Sequence, residues 1–347
     1  PQADAQHPRL DITGVIDVET YQSLEIPKLF EALNRSQTRI GGAVLLRSLA
    51  NPLTEADEIL AKQDTLRALQ KDAALRSHLE GFVGRLAKRE GSLYQLLYGT
   101  FLGLFGSKAN DLEFEGFGYD AFIQGNEFLT QAAQGASGFQ PTGLAYLDAV
   151  LQSIRDFKET RGYRLARGPV YRTEKGVIPR EEKHWWTPCV RFNPSLFKPV
   201  GILAFIGMLL VVSEFVPLLL DMVASMIGTF WIFLFPLALL YIPIVGGFDR
   251  DGCIYPYREL LKRAPEVHRL LDDVGRLDEL LSLLNYAESL PHPITLPSIK
   301  TGKQHAIQLT GLRNPILAMN DAQYVGNDLD LAKSRLTLIT GPNSGGK

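Results

Sequence analysis

The segment Leu336-Thr-Leu-Ile-Thr-Gly-Pro-Asn-Ser-Gly-Gly-Lys347 sets the reading of the whole chain. Leu336 to Thr340 is a short apolar, β-branched run of buried-strand type. Gly341, Pro342, Asn343, Ser344, Gly345, Gly346 and Lys347 then fit G-x-x-x-x-G-K. In such a loop the backbone N–H groups cradle phosphate oxygens while the lysine reaches the β and γ positions. The glycines let backbone approach phosphate closely, and a helix that follows adds its positive N-terminal end. The Ser or Thr that holds Mg²⁺ in such loops would fall one position after Lys347. These seven residues are therefore assigned to nucleotide binding, with no catalytic residue and no metal ligand assigned.

Length and charge set the outer bounds. A chain of 347 residues allows two or three domains with ample core. With 36 Lys and Arg against 38 Asp and Glu, the net charge of −2 argues against a globally basic nucleic-acid coat and confines any DNA affinity to a local patch. Cys189 and Cys253 are too few for a disulfide framework and form no C-x-x-C pair, so reduced thiols in a cytosolic setting are expected. Pro1 to Leu10 lacks the apolar h-region of a signal peptide.

The N-terminal third reads as helices. Asp11 to Glu25 looks like a short strand or extended lead-in, and Pro27 sits at a helix N1 position before Lys28 to Asn34. Gly41 and Gly42 break the pattern ahead of a short helix over Ala43 to Ala50. Thr54, with Asp57 three residues on, opens a helix carrying Ile59, Leu60, Leu66 and Leu69. Leu75, Leu79, Phe82, Val83 and Leu86 continue the helical spacing as bundle core.

Several of these stretches resemble one family. Asp17-Val-Glu-Thr-Tyr-Gln-Ser-Leu-Glu25, Leu33-Asn-Arg-Ser-Gln-Thr-Arg-Ile-Gly41, Leu45-Leu-Arg-Ser-Leu-Ala-Asn-Pro-Leu53 and the helix from Glu55 with Gln63-Asp-Thr-Leu66 look like the start of the MutS core domain. Leu277-Asp-Glu-Leu-Leu-Ser-Leu-Leu284 is similar to the returning lever helix. Gly311-Leu-Arg-Asn-Pro-Ile-Leu317 and Val325-Gly-Asn-Asp-Leu-Asp-Leu331 are similar to the lead-in to the nucleotide site. The loop differs from the usual family loop chiefly in Ser344. The likeness covers roughly residues 12 to 80 and 265 to 347, and its co-linear order is more specific than any one motif. It implies a helical core, ATP as cofactor with Mg²⁺ only once the rest of the ATPase follows, DNA as partner, and a homodimer through the ATPase domain. It does not imply mismatch reading, because nothing before residue 11 could house that domain and no Phe-x-Glu wedge precedes the core.

Between the two halves the chain departs from the family. Ser92 to Gln140 is glycine-rich with aromatics, and Tyr94, Leu96, Leu97, Tyr98, Phe101, Leu102, Leu104 and Phe105 form an apolar run read as buried, with a lipid-dipping surface as the other option. Leu144 to Phe157 has the spacing of an amphipathic helix. Arg155 to Lys183 carries nine basic residues against five acids, with Tyr163 and Tyr171 interleaved. That composition suits a nucleic-acid track, or a basic flank beside an apolar span; the flank is preferred.

Pro199 to Val245 contains Glu214 and Asp221 as its only charges. Pro199 to Leu220 and Met222 to Val245 are each long enough for a hydrocarbon core of ~30 Å, so two transmembrane helices are expected, joined by a turn between Pro217 and Gly228. Basic residues on both flanks put both termini in the cytoplasm, with Glu214 and Asp221 near the turn and Trp185, Trp186, Trp231 and Tyr241 as interface or packing aromatics. Past the pair, Pro265 starts a long helix with Val267, Leu270, Leu271, Val274, Leu277, Leu280, Leu281 and Leu284 on one face. Ile294 to Leu296 and Ala306 to Leu309 read as short strands.

The expected fold is mainly α: a MutS-like helical core and lever, interrupted by a transmembrane hairpin and followed by the first strands of a P-loop α/β domain. The expected divisions are 1–90 for the core's first half, 91–198 for a divergent insertion, 199–246 for the hairpin, 247–290 for the returning lever and 291–347 for the start of the ATPase. The expected function is a membrane-anchored, MutS-like ATP and DNA-binding switch, with membrane lipid and a membrane protein among its partners and no measurable ATPase activity in the 347-residue chain. The alternative is a non-enzymatic membrane scaffold or accessory subunit.

Overall fold

The computed structural model describes residues 16–101, 113–114, 116–215, 241–292, 294–301, 306–320 and 324–331. Asp17 caps the first helix, Val18–Ser23, by accepting a hydrogen bond from the Thr20 N–H at 2.6 Å, which gives a helix where an extended lead-in was expected. Ile26–Leu33 follows with its proline in the first turn. The next helix is Arg39–Ala50, so Gly41 and Gly42 lie inside it rather than ahead of it. Helices Ala56–Lys71 and Ala73–Tyr98 come after, and the described chain divides into two compact units. The first lies within Pro1–Arg85, Ala136–Ile154 and Leu271–Lys347, the second within Leu86–Gly135 and Arg155–Leu270.

In the first unit the long helix Pro265–Ser289 supplies, from Leu271 on, the centre of the core. Val274, Leu277, Leu280 and Leu281 are fully buried, as the 3.6-residue spacing predicts, each burial contributing about 1.5–3 kcal/mol. The same helix turns a polar residue inward. The Asp278 carboxylate accepts hydrogen bonds from the Gln37 N–H at 3.0 Å, the Thr38 N–H at 2.7 Å and the Thr38 hydroxyl at 2.6 Å. Thr38 Oγ1 in turn accepts from the Gly41 N–H at 2.8 Å, capping Arg39–Ala50. Glycine is required at Gly41 because a Cβ there would run into the Asp278 side chain, and at Gly275 because a Cβ would meet Val44 and, at 3.1 Å, the Ile40 carbonyl. These two positions let the helices close on each other. Helix Ala145–Asp156 buries Leu147, Val150, Leu151 and Ile154, as its amphipathic spacing anticipated.

Later in the first unit, Gln308–Leu312 pairs antiparallel with Asn327–Asp330, with an irregularity between Leu309 and Leu312 and Gly311 at φ +62°. The first strand of this ribbon overlaps the run expected at Ala306 to Leu309, whereas Ile294 to Leu296 forms no strand. The loop Gly341–Lys347 and its strand Leu336 to Thr340 lie outside the described residues.

In the second unit, Tyr119–Ala136 is helical, so much of the glycine-rich stretch that gave no clean helical pattern folds as helix. Of the apolar run, Leu96, Leu97 and Phe101 are buried as expected, whereas Tyr94 is half-buried and Tyr98 is 48% exposed. Leu102, Leu104 and Phe105 lie outside the described residues.

The transmembrane hairpin is overturned. Among the described residues no helix is long and apolar enough to cross a membrane. The described helix Pro199–Phe215 has 17 residues, which at 1.5 Å per residue gives ~26 Å against a hydrocarbon core of ~30 Å. Residues 241–249 are helical and pass through a π-helical turn, Arg250–Ile254, into the charged helix Tyr255–Arg263. Gly246 sits against the Phe117 ring, and Asp249 pairs with Lys198 and accepts from the Tyr119 hydroxyl at 2.7 Å. The expected turn with Asp221 lies outside the described residues. With the hairpin go the two-span topology, the cytoplasmic placement of both termini derived from it, and the basis for membrane lipid and a membrane protein as partners.

Candidate nucleic-acid interface

The basic run Arg155 to Lys183 does not stay together in space. Arg161 is bound to Glu182 through Nε at 2.5 Å and NH2 at 2.9 Å. Arg172 covers Gly252 and reaches the Phe248 carbonyl at 3.5 Å. Arg180 and Lys183 are left at the surface, where the fold brings a third cation to them.

A three-stranded antiparallel sheet does this. Val170–Thr173 is the central strand, paired with Gly176–Pro179 through a tight turn and with Val190–Phe192 on its other side. Period-2 alternation sorts the faces. Val170, opposite Pro179 and Phe192, is buried with both of them, while the next row sets Tyr171 opposite Ile178 and Arg191. The inner face rests on aromatics: Phe192 meets Phe122 edge-on at 5.1 Å between centroids, and Phe122 packs on Tyr257 at 4.7 Å. Tyr257 is fully buried and its hydroxyl donates to Asn126 Oδ1, and burial raises its phenol above the ordinary value. This packing fixes the position of the outer row.

On the outer side, Tyr171, Arg180, Lys183, His184, Trp185 and Arg191 line a groove of about 560 Å³. Lys183 Nζ lies 4.9 Å from the centre of the Tyr171 ring. Trp185 is 89% exposed and Trp186 65% exposed. His184 stacks on Trp186 at 5.1 Å with planes 6° apart, and Trp185 meets Trp186 edge-on. The lining contains three permanent cations and no carboxylate. Among the described residues none of Arg180, Lys183 and Arg191 forms an ion pair, and the nearest acid in sequence with a partner, Glu182, is held by Arg161. A local positive surface on a chain of net charge −2 attracts polyanions.

A neighbouring cavity of about 520 Å³ lies between Phe122, Asn126, Glu127, Arg167 and Arg191, and its one acid, Glu127, is paired with Arg89. Cys253 is buried and its thiol is pushed up to about 12 by burial and then by Asp249, which disfavours the thiolate. Among the described residues no cluster of His, Cys, Asp and Glu could hold a metal ion.

None of the seven residues assigned to nucleotide binding falls among the described residues. Of the groove residues, His184, Trp185 and Arg191 fall outside the basic run Arg155 to Lys183. The signal that points to them is the alternation of Val170-Tyr-Arg-Thr, Gly176-Val-Ile-Pro and Val190-Arg-Phe about a Glu174-Lys175 turn.

No family model matches the chain. It is 39% identical over 77 residues to the DNA mismatch repair protein MSH2 of Zea mays. It is 31% identical over 94 residues to the DNA mismatch repair protein MutS of Synechococcus sp., and 33% identical over 89 residues to that of Haloquadratum walsbyi. The matched stretches cover 21, 22 and 26% of this chain but 8, 11 and 9% of those proteins. The chain thus matches about a tenth of the length of these curated relatives, and the likeness is a local one to MutS-type mismatch repair proteins.

Proposed function

We propose that the chain is part of a MutS-like protein that binds ATP and DNA, with the helical first unit as its core and lever and Gly341, Pro342, Asn343, Ser344, Gly345, Gly346 and Lys347 as its phosphate loop. The observation that supports this is the 31–39% identity over 77–94 residues to DNA mismatch repair proteins. In this proposal the loop N–H groups and Lys347 hold the ATP phosphates, Mg²⁺ requires a Ser or Thr after Lys347, and a second copy completes the ATPase. DNA is held without mismatch preference. The groove cations address phosphate, and phosphate contacts position a duplex without reading its sequence.

The test uses the full protein that carries this chain. Fluorescent ATP is expected to bind and to be lost on Lys347→Ala, and a mismatched duplex is expected to bind no better than a perfect one. Nucleotide affinity unchanged by Lys347→Ala, or a tenfold preference for the mismatch at physiological salt, would overturn it.

A further inference from the structure

We infer that the groove of the second unit takes unpaired nucleotides: a single-stranded nucleic acid whose bases stack on Tyr171 and Trp185 while its phosphates meet Arg180, Lys183 and Arg191. This rests on the proposal that the protein binds nucleic acid and names the form it takes at this site.

Three observations carry it. The first is the gathering of three cations with Tyr171 and Trp185 in one groove of about 560 Å³, with no acid in the lining. A duplex keeps its base faces inside the stack and offers a protein its phosphates and groove edges, so aromatic platforms add nothing to duplex binding. An unpaired strand presents both phosphates and π faces. The second is the exposure of Trp185 at 89%, which leaves a large apolar ring in water in the free protein. It meets Trp186 in a T-shaped pair at 5.6 Å between centroids, and Trp186 is stacked with His184, so the ring is held by neighbouring aromatics. The third is the register of the sheet. Arg191 lies directly across from Tyr171, and Lys183 sits over the Tyr171 ring. Directly opposed residues in a sheet have Cβ atoms about 5 Å apart, so a base on Tyr171 has its own phosphate within reach of a cation. Tyr171 is carried by a strand paired with Val190–Phe192, and Phe192 of that neighbour packs on Phe122.

The experiment is fluorescence anisotropy on the full protein with labelled oligo(dT), oligo(rU) and a duplex, each about 20 units long, at low and physiological salt. We expect one or both single strands to bind at least tenfold tighter than the duplex. Trp185→Ala and Tyr171→Ala are each expected to weaken single-strand binding roughly five- to 150-fold while leaving duplex binding unchanged, and Tyr171→Phe to restore it. Lys183→Gln is expected to weaken all three. Oligo(dT) is expected to quench the tryptophan emission of the parent protein and to quench it less in Trp185→Ala, and a far-ultraviolet circular dichroism spectrum matching the parent separates this effect from loss of fold. A preference for oligo(dT) or for oligo(rU) identifies the strand as DNA or RNA. Duplex binding equal to or tighter than single-strand binding, or stacking variants that bind oligo(dT) and oligo(rU) as the parent does, overturns the inference alone. Absence of binding to any of the three at low salt overturns the nucleic-acid proposal with it.

Discussion

The helix-packed core of the first unit and the outer face of the sheet in the second treat charge in opposite ways. In the core, charged groups are matched internally. Lys62 meets Glu279 at 2.8 Å with Glu279 2% exposed, and Asp278 accepts three hydrogen bonds. On the sheet face, Arg180, Lys183 and Arg191 gather with no carboxylate among the groove residues. Ionic groups that fix one helix against another must be complete within the fold, because a buried charge without its partner is costly. Cations that serve an outside anion must be left incomplete. The first arrangement fixes structure, and the second leaves cations on the surface with no carboxylate among the groove residues.

The comparison breaks most visibly at Lys62. Lys62→Met removes the partner of a carboxylate with almost no access to water, and we expect a loss of about 3–5 kcal/mol in chemical denaturation. Removing a groove cation by Arg180→Gln is expected to change stability by less than about 0.5 kcal/mol. A similar loss for both would mean that the two regions do not differ as described.

Next in size is the close approach of helix Arg39–Ala50 to Pro265–Ser289. A methyl at Gly275 meets Val44 and the Ile40 carbonyl, so Gly275→Ala is expected to lower stability by about 1–3 kcal/mol through overpacking. Gly81 is helical too, but the closest atom to its added Cβ is the tip of Arg85 at 3.6 Å. There Gly81→Ala is expected to raise stability by about 0.5–1 kcal/mol, because alanine loses less backbone freedom on folding. Thermal unfolding of the two variants checks the opposite signs.

These glycines also show how much could be read from the residues alone. Helix Pro265–Ser289 and helix Ala145–Asp156 were legible because their apolar residues recur at helical spacing and are the ones buried. Gly41 and Gly42 read as breaks and are not, since Asp278, 237 positions further along the sequence, requires the missing side chain at Gly41. Gly125 is similar: a Cβ there would lie 2.8 Å from Leu96, so a residue that looks like punctuation marks helix-to-helix contact inside the second unit. The apolar stretch from Pro199 misled through hydropathy, which counts residues and cannot see that Asp249 pairs with Lys198 and Gly246 packs on Phe117. The groove was half legible. Its basic and aromatic composition was plain, but which cations survive unpaired depends on Glu182 taking Arg161 and on a strand pairing that sets Arg191 beside Tyr171. The nucleotide loop was legible as a motif, and its geometry lies outside the described residues.

A smaller effect sharpens the groove half of the comparison. Lys183→Gln combined with Arg191→Gln removes two cations that meet phosphate in the proposed complex. Affinity for oligo(dT) at low salt is expected to fall about tenfold, and the slope of log K against log salt to become less steep by roughly 1.4. An unchanged salt slope would place the phosphate contacts elsewhere on the chain.

The smallest effect is a pH dependence in the core, and its sign follows from Asp278. Burial raises this carboxyl above its ordinary value, and the hydrogen bonds from Thr38 and Gln37 recover only part of the difference. An acid whose folded value lies above its unfolded value contributes stability that is complete below the unfolded value and is lost as pH rises through the folded one, because the unfolded chain gives up its proton first. Asp278→Asn cannot ionise, so it removes this dependence, and it also replaces an acceptor by an amide N–H that faces the same donors. The variant is therefore less stable than the parent at every pH, and its deficit is expected to be largest below the ordinary aspartate range and to shrink as pH rises through the folded Asp278 value. Subtracting the two denaturation midpoints at each pH cancels the other titrating groups. A deficit that grows with rising pH would instead show that the three hydrogen bonds outweigh burial and hold the Asp278 carboxylate below its ordinary value.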